Sequence, residues 1–238
     1  MFLVFQLRAP LGAFGNAQAD VRHTATTPRK SAILGLLAAA LGLDRTETEA
    51  FARLARDLSV GTAELKEPHL LVDFHTVQSP VAVAKNSYDQ SRADQLRRVR
   101  AASRDGSYKS TIVTRRSYLQ DGHWLIALSG PAELLAALKA ALEAPKFTLY
   151  LGRKSCPLSA FTAPLLVVGE ALEDALAAWA ADTKTALPAS LALTWDAALQ
   201  AKTAAMTETL VTDQRQTLQY PHFAPRSRRE GVWNRQDV

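Results

Sequence analysis

One cysteine among 238 residues, Cys156, leaves nothing within the chain for it to pair with, so no internal disulfide framework is expected and a reducing compartment fits. Long apolar runs are missing too. The longest, Ala32 to Leu43, has 12 residues between Ser31 and Asp44, well short of the ~20 needed to cross a bilayer. A packed helix is the expectation there, with no membrane partner. Met1 to Phe5 has no basic region before it and no small-residue cleavage site after it, so a signal peptide is not expected and the cytoplasm is the default. The five histidines (23, 69, 75, 123, 222) and the lone cysteine make no metal-ligand spacing. No G-x-x-x-x-G-K-[ST] loop is present, which argues against nucleotide hydrolysis. No metal and no cofactor are expected, and the absence of helix-turn-helix and zinc-module patterns disfavours a free-standing DNA binder.

What is present is positive charge, unevenly placed. Residues 1–84 carry eight basic and eight acidic side chains, whereas residues 85–120 carry nine basic and three acidic. Residues 121–212 carry six basic and nine acidic, and residues 213–238 five and three. The formal excess of +5 therefore originates in one segment, containing Lys85, Arg92, Arg97, Arg98, Arg100, Arg104, Lys109, Arg115 and Arg116. Clustering of this kind is the electrostatic footprint of a polyanion, because each neutralised phosphate releases condensed counterions. A solvated charged surface is the plain alternative.

Periodicity gives an element order. Phe2 to Leu7 reads as a strand. Thr27-Pro28 reads as the start of a helix, with Thr27 as N-cap and Pro28 at the first helical position, running to about Leu41 and ending at Gly42. Thr46 to Glu49 has capping-box spacing before a helix carrying Phe51, Leu54 and Leu58. Leu70 to Phe74 reads as a strand. The basic segment between Ala84 and Ser110 has almost no large apolar residues and cannot bury itself, so it is expected to project. Strand character resumes over Thr111 to Leu119, Asp121-Gly122 reads as a hairpin turn, and His123 to Leu128 reads as the returning strand. A helix with Leu134, Leu138 and Leu142 on one face stops before Pro145, and a strand follows at Leu165–Val168. Beyond it come a helix aligning Leu172, Leu176 and Trp179, and strands near Leu191–Trp195 and Thr209–Thr212. The expected fold class is α+β: a ferredoxin-like (RRM-like) βαββαβ domain over residues 1–169, with a projecting basic thumb at about 78–110, and a smaller C-terminal lobe over 170–238.

Several stretches carry a family resemblance. Leu34-Gly35-Leu36-Leu37 after Thr27 to Ser31, Asp73 to Val77, and above all Phe147 to Leu158 with Tyr150, Gly152, Arg153, Lys154 and Ser155 are similar to motifs of the CasD family. Thr111 to Asp121 and Phe223 to Arg226 are weaker matches, and all five occur in family order. CasD proteins are RAMP-superfamily subunits of type I-E CRISPR Cascade complexes. The resemblance implies a ferredoxin-like domain with a thumb, which binds the 5′ handle of the crRNA and caps the backbone filament. It implies contacts with the backbone subunit CasC and the large subunit CasA, with target DNA reached only through the complex. It further implies a non-catalytic role in antiviral defence, since another subunit cuts the precursor.

Under that resemblance, each candidate RNA-binding residue has a physical rationale and a plain alternative. Arg29, Lys30 and Ser31 sit at a helix N-terminus, where exposed N–H groups and two cations suit phosphate; the alternative is a capped surface helix. Tyr150 can stack on a base, Gly152 permits close backbone approach to phosphate, and Arg153, Lys154 and Ser155 supply charge and hydrogen bonds; the alternative is a tight turn. Arg115, Arg116 and Tyr118 are expected on the RNA-facing side of a strand, or else as a partly buried pair bracing the thumb base. His75 is expected to touch RNA or to pack; it is also the residue around which a metal-independent endoribonuclease could be built. Cys156 is read as a small buried thiol. The run Arg226 to Arg229 is left between RNA, CasA and disorder.

Overall fold

The computed structural model describes residues 1–15, 21–78, 91, 93–94, 96–97, 100, 104, 111–215 and 223–235. Its first strand, β1 (Phe2–Arg8), is apolar on both faces. Side chains of a strand alternate in direction, so Leu3, Phe5 and Leu7 enter one apolar cluster while Phe2 and Val4 enter another. Helices must therefore cover both sides of the sheet that contains β1.

The chain continues through β2 (Leu11–Gly12), β3 (Val21–Arg22), α1 (Lys30–Leu41), α2 (Thr48–Asp57), β4 (Ser59–Lys66) and β5 (His69–Gln78). It then runs through β6 (Thr111–Gln120), β7 (His123–Ser129), α3 (Ala132–Glu143), β8 (Leu165–Val167), α4 (Leu172–Thr183), β9 (Ser190–Asp196), β10 (Thr207–Arg215) and β11 (Phe223–Asn234). Seven strands form one sheet in the order β10-β11-β9-β4-β7-β1-β8, with every neighbouring pair antiparallel. On one face, Ile33, Leu34 and Leu37 of α1, Phe51 and Leu54 of α2, and Leu135 and Leu138 of α3 pack on Leu3, Phe5 and Ile126. On the other, Leu172, Leu176 and Trp179 of α4 pack with Val4, Ala127, Leu193 and Trp195. No described helix is long and apolar enough to cross a membrane.

A second sheet joins β2, β6 and β3, with β5 also paired to β6. Residue contacts divide the chain into two compact units: 1–15, 24–71 and 118–238 in one, and 16–23 and 72–117 in the other. The expected α+β class and mixed element order are as found. Several local expectations are corrected. Asp121-Gly122 is not a hairpin turn, because β6 and β7 lie in different sheets; β6 takes β5 as its partner instead. The first helix begins at Lys30, with Arg29 in an extended conformation as N-cap, rather than at Thr27-Pro28. At the second helix Glu47 is the N-cap, and its carboxylate accepts the Asp44 N–H at 2.6 Å in place of the expected capping box. The strands expected after residue 170 form no sheet of their own: β9 pairs with β4, and β11 with β9.

Candidate nucleic-acid interface

The glycine-containing loop is built from α1 outward. The last carbonyls of a helix lack intrahelical donors, and here Phe147 N–H reaches Ala39 O at 3.2 Å while Lys146 N–H reaches Ala40 O at 3.0 Å. These bonds hold the segment after α3 against the end of α1, where Gly42 caps the helix in the left-handed conformation at φ 76°. The chain then closes on itself. Tyr150 bridges Pro157, Leu151 N–H donates to Cys156 O at 2.8 Å, and Cys156 N–H donates to Arg153 O at 2.9 Å. Ala13 N–H bonds Leu151 O at 3.1 Å and ties this loop to the turn after β2.

Between the end of α1 and this loop lies an open groove of about 700 Å³. Gly35, Ala38 and Ala39 give it a side-chain-poor wall, and Phe147, Tyr150, Arg45 and Lys154 supply two rings and two cations. Phe147 is 53% exposed, so one of the groove's rings is open to a partner. Tyr150 and Lys154, expected from the sequence, thus share one concavity, and Lys154 and Ser155 are exposed. Arg45 and Phe147 were missed. Arg45 sits in a charge-neutral stretch over a hundred residues away in sequence, so only the fold brings it to the loop; Phe147 opens the Phe147–Leu158 motif but was given no contact role there.

Other expected residues are placed differently. Gly152 has φ +80°, and a Cβ there would lie 1.8 Å from the Ala13 carbonyl oxygen, so the close approach it permits here is to the Ala13 backbone. Arg153 leaves the loop to stack its guanidinium 4.5 Å from the ring centroid of Tyr118. Tyr118 is only 7% exposed, which corrects its expected place on an RNA-facing surface. One guanidinium nitrogen of Arg153, Nη1, is enclosed and has no hydrogen-bond partner, and the same holds for Nε of Arg116. Arg115 is exposed and Arg116 half-buried.

At the other end of α1, Lys30 is 6% exposed. Its ammonium donates to Leu58 O at 2.7 Å and to Asp196 Oδ2 at 2.9 Å. Asp196 also accepts the Val60 N–H at 3.0 Å and pairs with Arg226. Lys30 is therefore committed inside the protein, and the expectation of phosphate contact by this residue is corrected. Arg29 and Ser31 are half-buried at the same helix start. The C-terminal run, left undecided above, lies in β11: Arg226 meets Asp196, Arg228 meets Glu230, and Arg229 meets Glu208 at 3.0 Å.

His75 pairs with Asp73, two positions earlier on the same face of β5. Cys156 is fully buried, and burial pushes its thiol up from the ordinary range against the smaller opposing effects of Ser155 and Arg153. Most of the expected thumb, including Lys85, Arg92, Arg98 and Lys109, lies outside the described residues. Within it, Arg97 pairs with Asp94 at 2.9 Å.

Residues 2–235 match the family described as "CRISPR-associated protein (Cas_Cas5)". The chain is 28% identical over 170 residues to the CRISPR system Cascade subunit CasD of Escherichia coli (strain K12), a match spanning 66% of this chain and 67% of that protein. A solved structure titled "Crystal structure of Cas protein" superposes with a TM-score of 0.65 at 28% identity, covering 100% of this chain and 97% of the other. A chain of a "CRISPR RNA-guided surveillance complex" has the same fold, with a TM-score of 0.65 at 22% identity over 98% of this chain and 89% of that one.

Proposed function

The chain belongs to the Cas5 family of CRISPR-associated proteins, and from that premise we propose that it is the CasD-type subunit of a type I-E Cascade complex, binding the 5′ handle of the crRNA without cutting it. The observation that carries this reading is the groove between α1 and the loop at 147–154. Its two rings offer stacking surfaces to unpaired bases, Arg45 and Lys154 offer charge to the phosphates, and the small residues of α1 let a backbone come close.

In this reading residues 1–169 form the RNA-binding body. The antiparallel order β8-β1-β7-β4 supports a ferredoxin-like description, since it is the arrangement of a split βαβ pair. The basic segment at about 78–110 is the thumb, and residues 170–238 extend the body. Handle binding would cap the backbone filament beside CasC and leave a surface for CasA, in the cytoplasm, with target DNA met only through the assembly.

The test is binding of a handle RNA to the purified chain. Replacing both Tyr150 and Lys154 by alanine is expected to weaken binding by roughly tenfold or more, given the ~1–3 kcal/mol lost per unstacked base; unchanged affinity and salt dependence would remove the groove from the site. A second reading, metal-independent cleavage of precursor crRNA, is favoured by one observation: the Asp73 carboxylate pairs with His75 and could orient it as an acid or base. Incubation with repeat RNA in the absence of metal separates the two. Specific cleavage abolished by His75→Ala would overturn the non-catalytic role.

A further inference from the structure

The seven-stranded sheet is only partly covered on the α1 face. Glu64 of β4 stands opposite Ala192 of β9, which stands opposite Val232 of β11. In the next row Thr62, Thr194, Glu230 and Thr207 are aligned in the same way. Directly opposed residues of antiparallel strands share a face, so the short Ala192 lies between Glu64 and Val232, and Thr194 lies beside Glu230. The result is a trough of about 650 Å³, closed on one side by the segment Thr24–Thr27.

The charge of the trough differs from that of the chain. Glu64, Glu67 and Glu230 line it, and its one cation, Arg228, is already paired with Glu230. Neither Glu64 nor Glu67 has an ion-pair partner among the described residues. Burial first, and Glu67 second, push the Glu64 carboxyl above the ordinary range against the smaller opposing effect of Trp124. Apolar surface is present as well: Met206 is 75% exposed and Val232 42%. An aliphatic stem ending in a cation matches both properties.

We infer that this trough is a docking site for a basic segment of a protein partner, which lays a lysine or arginine stem along Val232 and Met206 and its charge between Glu64 and Glu67. A nucleic-acid strand is disfavoured there, because its phosphates would face two uncompensated carboxylates. This inference is independent of the groove assigned to RNA and goes beyond it. Its volume lies in the range of ~300–1,000 Å³ typical of ligand sites.

The experiment uses the full chain and a fluorescein-labelled hexa-arginine peptide, read by anisotropy at moderate salt. A chain of net charge +5 repels such a peptide overall, so binding reports a local site. Glu64→Gln with Glu67→Gln keeps side-chain size, and it is expected to weaken the peptide about fivefold or more without lowering the melting temperature. Glu133→Gln with Glu143→Gln, which removes two charges from α3, is expected to leave peptide binding unchanged. Equal loss in both variants, or no loss in the first, would overturn the inference. So would photo-crosslinking of 4-thiouridine handle RNA to Thr26, Thr27 or Thr194, since that would put the polyanion in the trough.

Discussion

Lys30 carries its charge into the interior because Asp196, the Leu58 carbonyl and Arg226 complete a polar cluster around it. Buried charges are tolerated when paired, and removing one partner costs about 3–5 kcal/mol because the other is left uncompensated. Asp196→Asn is therefore expected to lower stability by a few kcal/mol, measured by urea unfolding, since it leaves the Lys30 ammonium enclosed without its carboxylate. Lys30→Met should be milder than Asp196→Asn, because Arg226 still serves the carboxylate. At Cys156 burial outweighs the opposing effects of Ser155 and Arg153. The folded chain holds the thiol neutral and the unfolded chain ionises it at the ordinary value. Its contribution is thus intact below the unfolded pKa and declines as pH rises toward the folded one. Iodoacetamide at pH 8 should label native Cys156 at least about tenfold more slowly than free cysteine, with the difference lost in denaturant.

At the scale of elements, the loop from Tyr150 to Pro157 owes its shape to backbone bonds rather than to side chains. Three hydrogen bonds close it and tie it to Ala13, and Gly152 is the point at which another chain segment comes too near for any side chain. Gly152→Ala would place a methyl within 1.8 Å of the Ala13 oxygen in a left-handed conformation. It is expected to displace the loop, lowering the melting temperature by several degrees and weakening handle RNA, whereas Ser155→Ala should leave the melting temperature unchanged. The strand β6 teaches a related point. Its Asp121-Gly122 end has hairpin chemistry, yet the strands on either side go to separate sheets. Turn residues permit a reversal, but strand pairing is settled by where apolar faces find cover.

At the scale of the whole molecule, the segment after residue 170 completes the body instead of standing beside it. Leu193 and Trp195 of β9 and Trp233 of β11 belong to the cluster that buries Val4 and Leu125, and Asp196 supplies the partner of Lys30. A fragment ending at residue 169 is therefore expected to aggregate, with β4 left as a bare edge; a soluble fragment with a cooperative melt would restore the separate lobe. The sequence alone determined much of this protein. Three- and four-residue spacing in α3 and α4 names the buried faces, because burial acts on local periodicity. The motif around Tyr150 and Gly152 likewise points to the family, and its charge to an anionic partner. Tertiary structure decided what each charge does. Lys30 and Arg153 look like surface cations in the sequence; long-range packing put one beside Asp196 and the other on Tyr118, and carried Arg45 to the groove. Those choices depend on groups distant along the chain meeting in a low-dielectric interior, which no local pattern encodes.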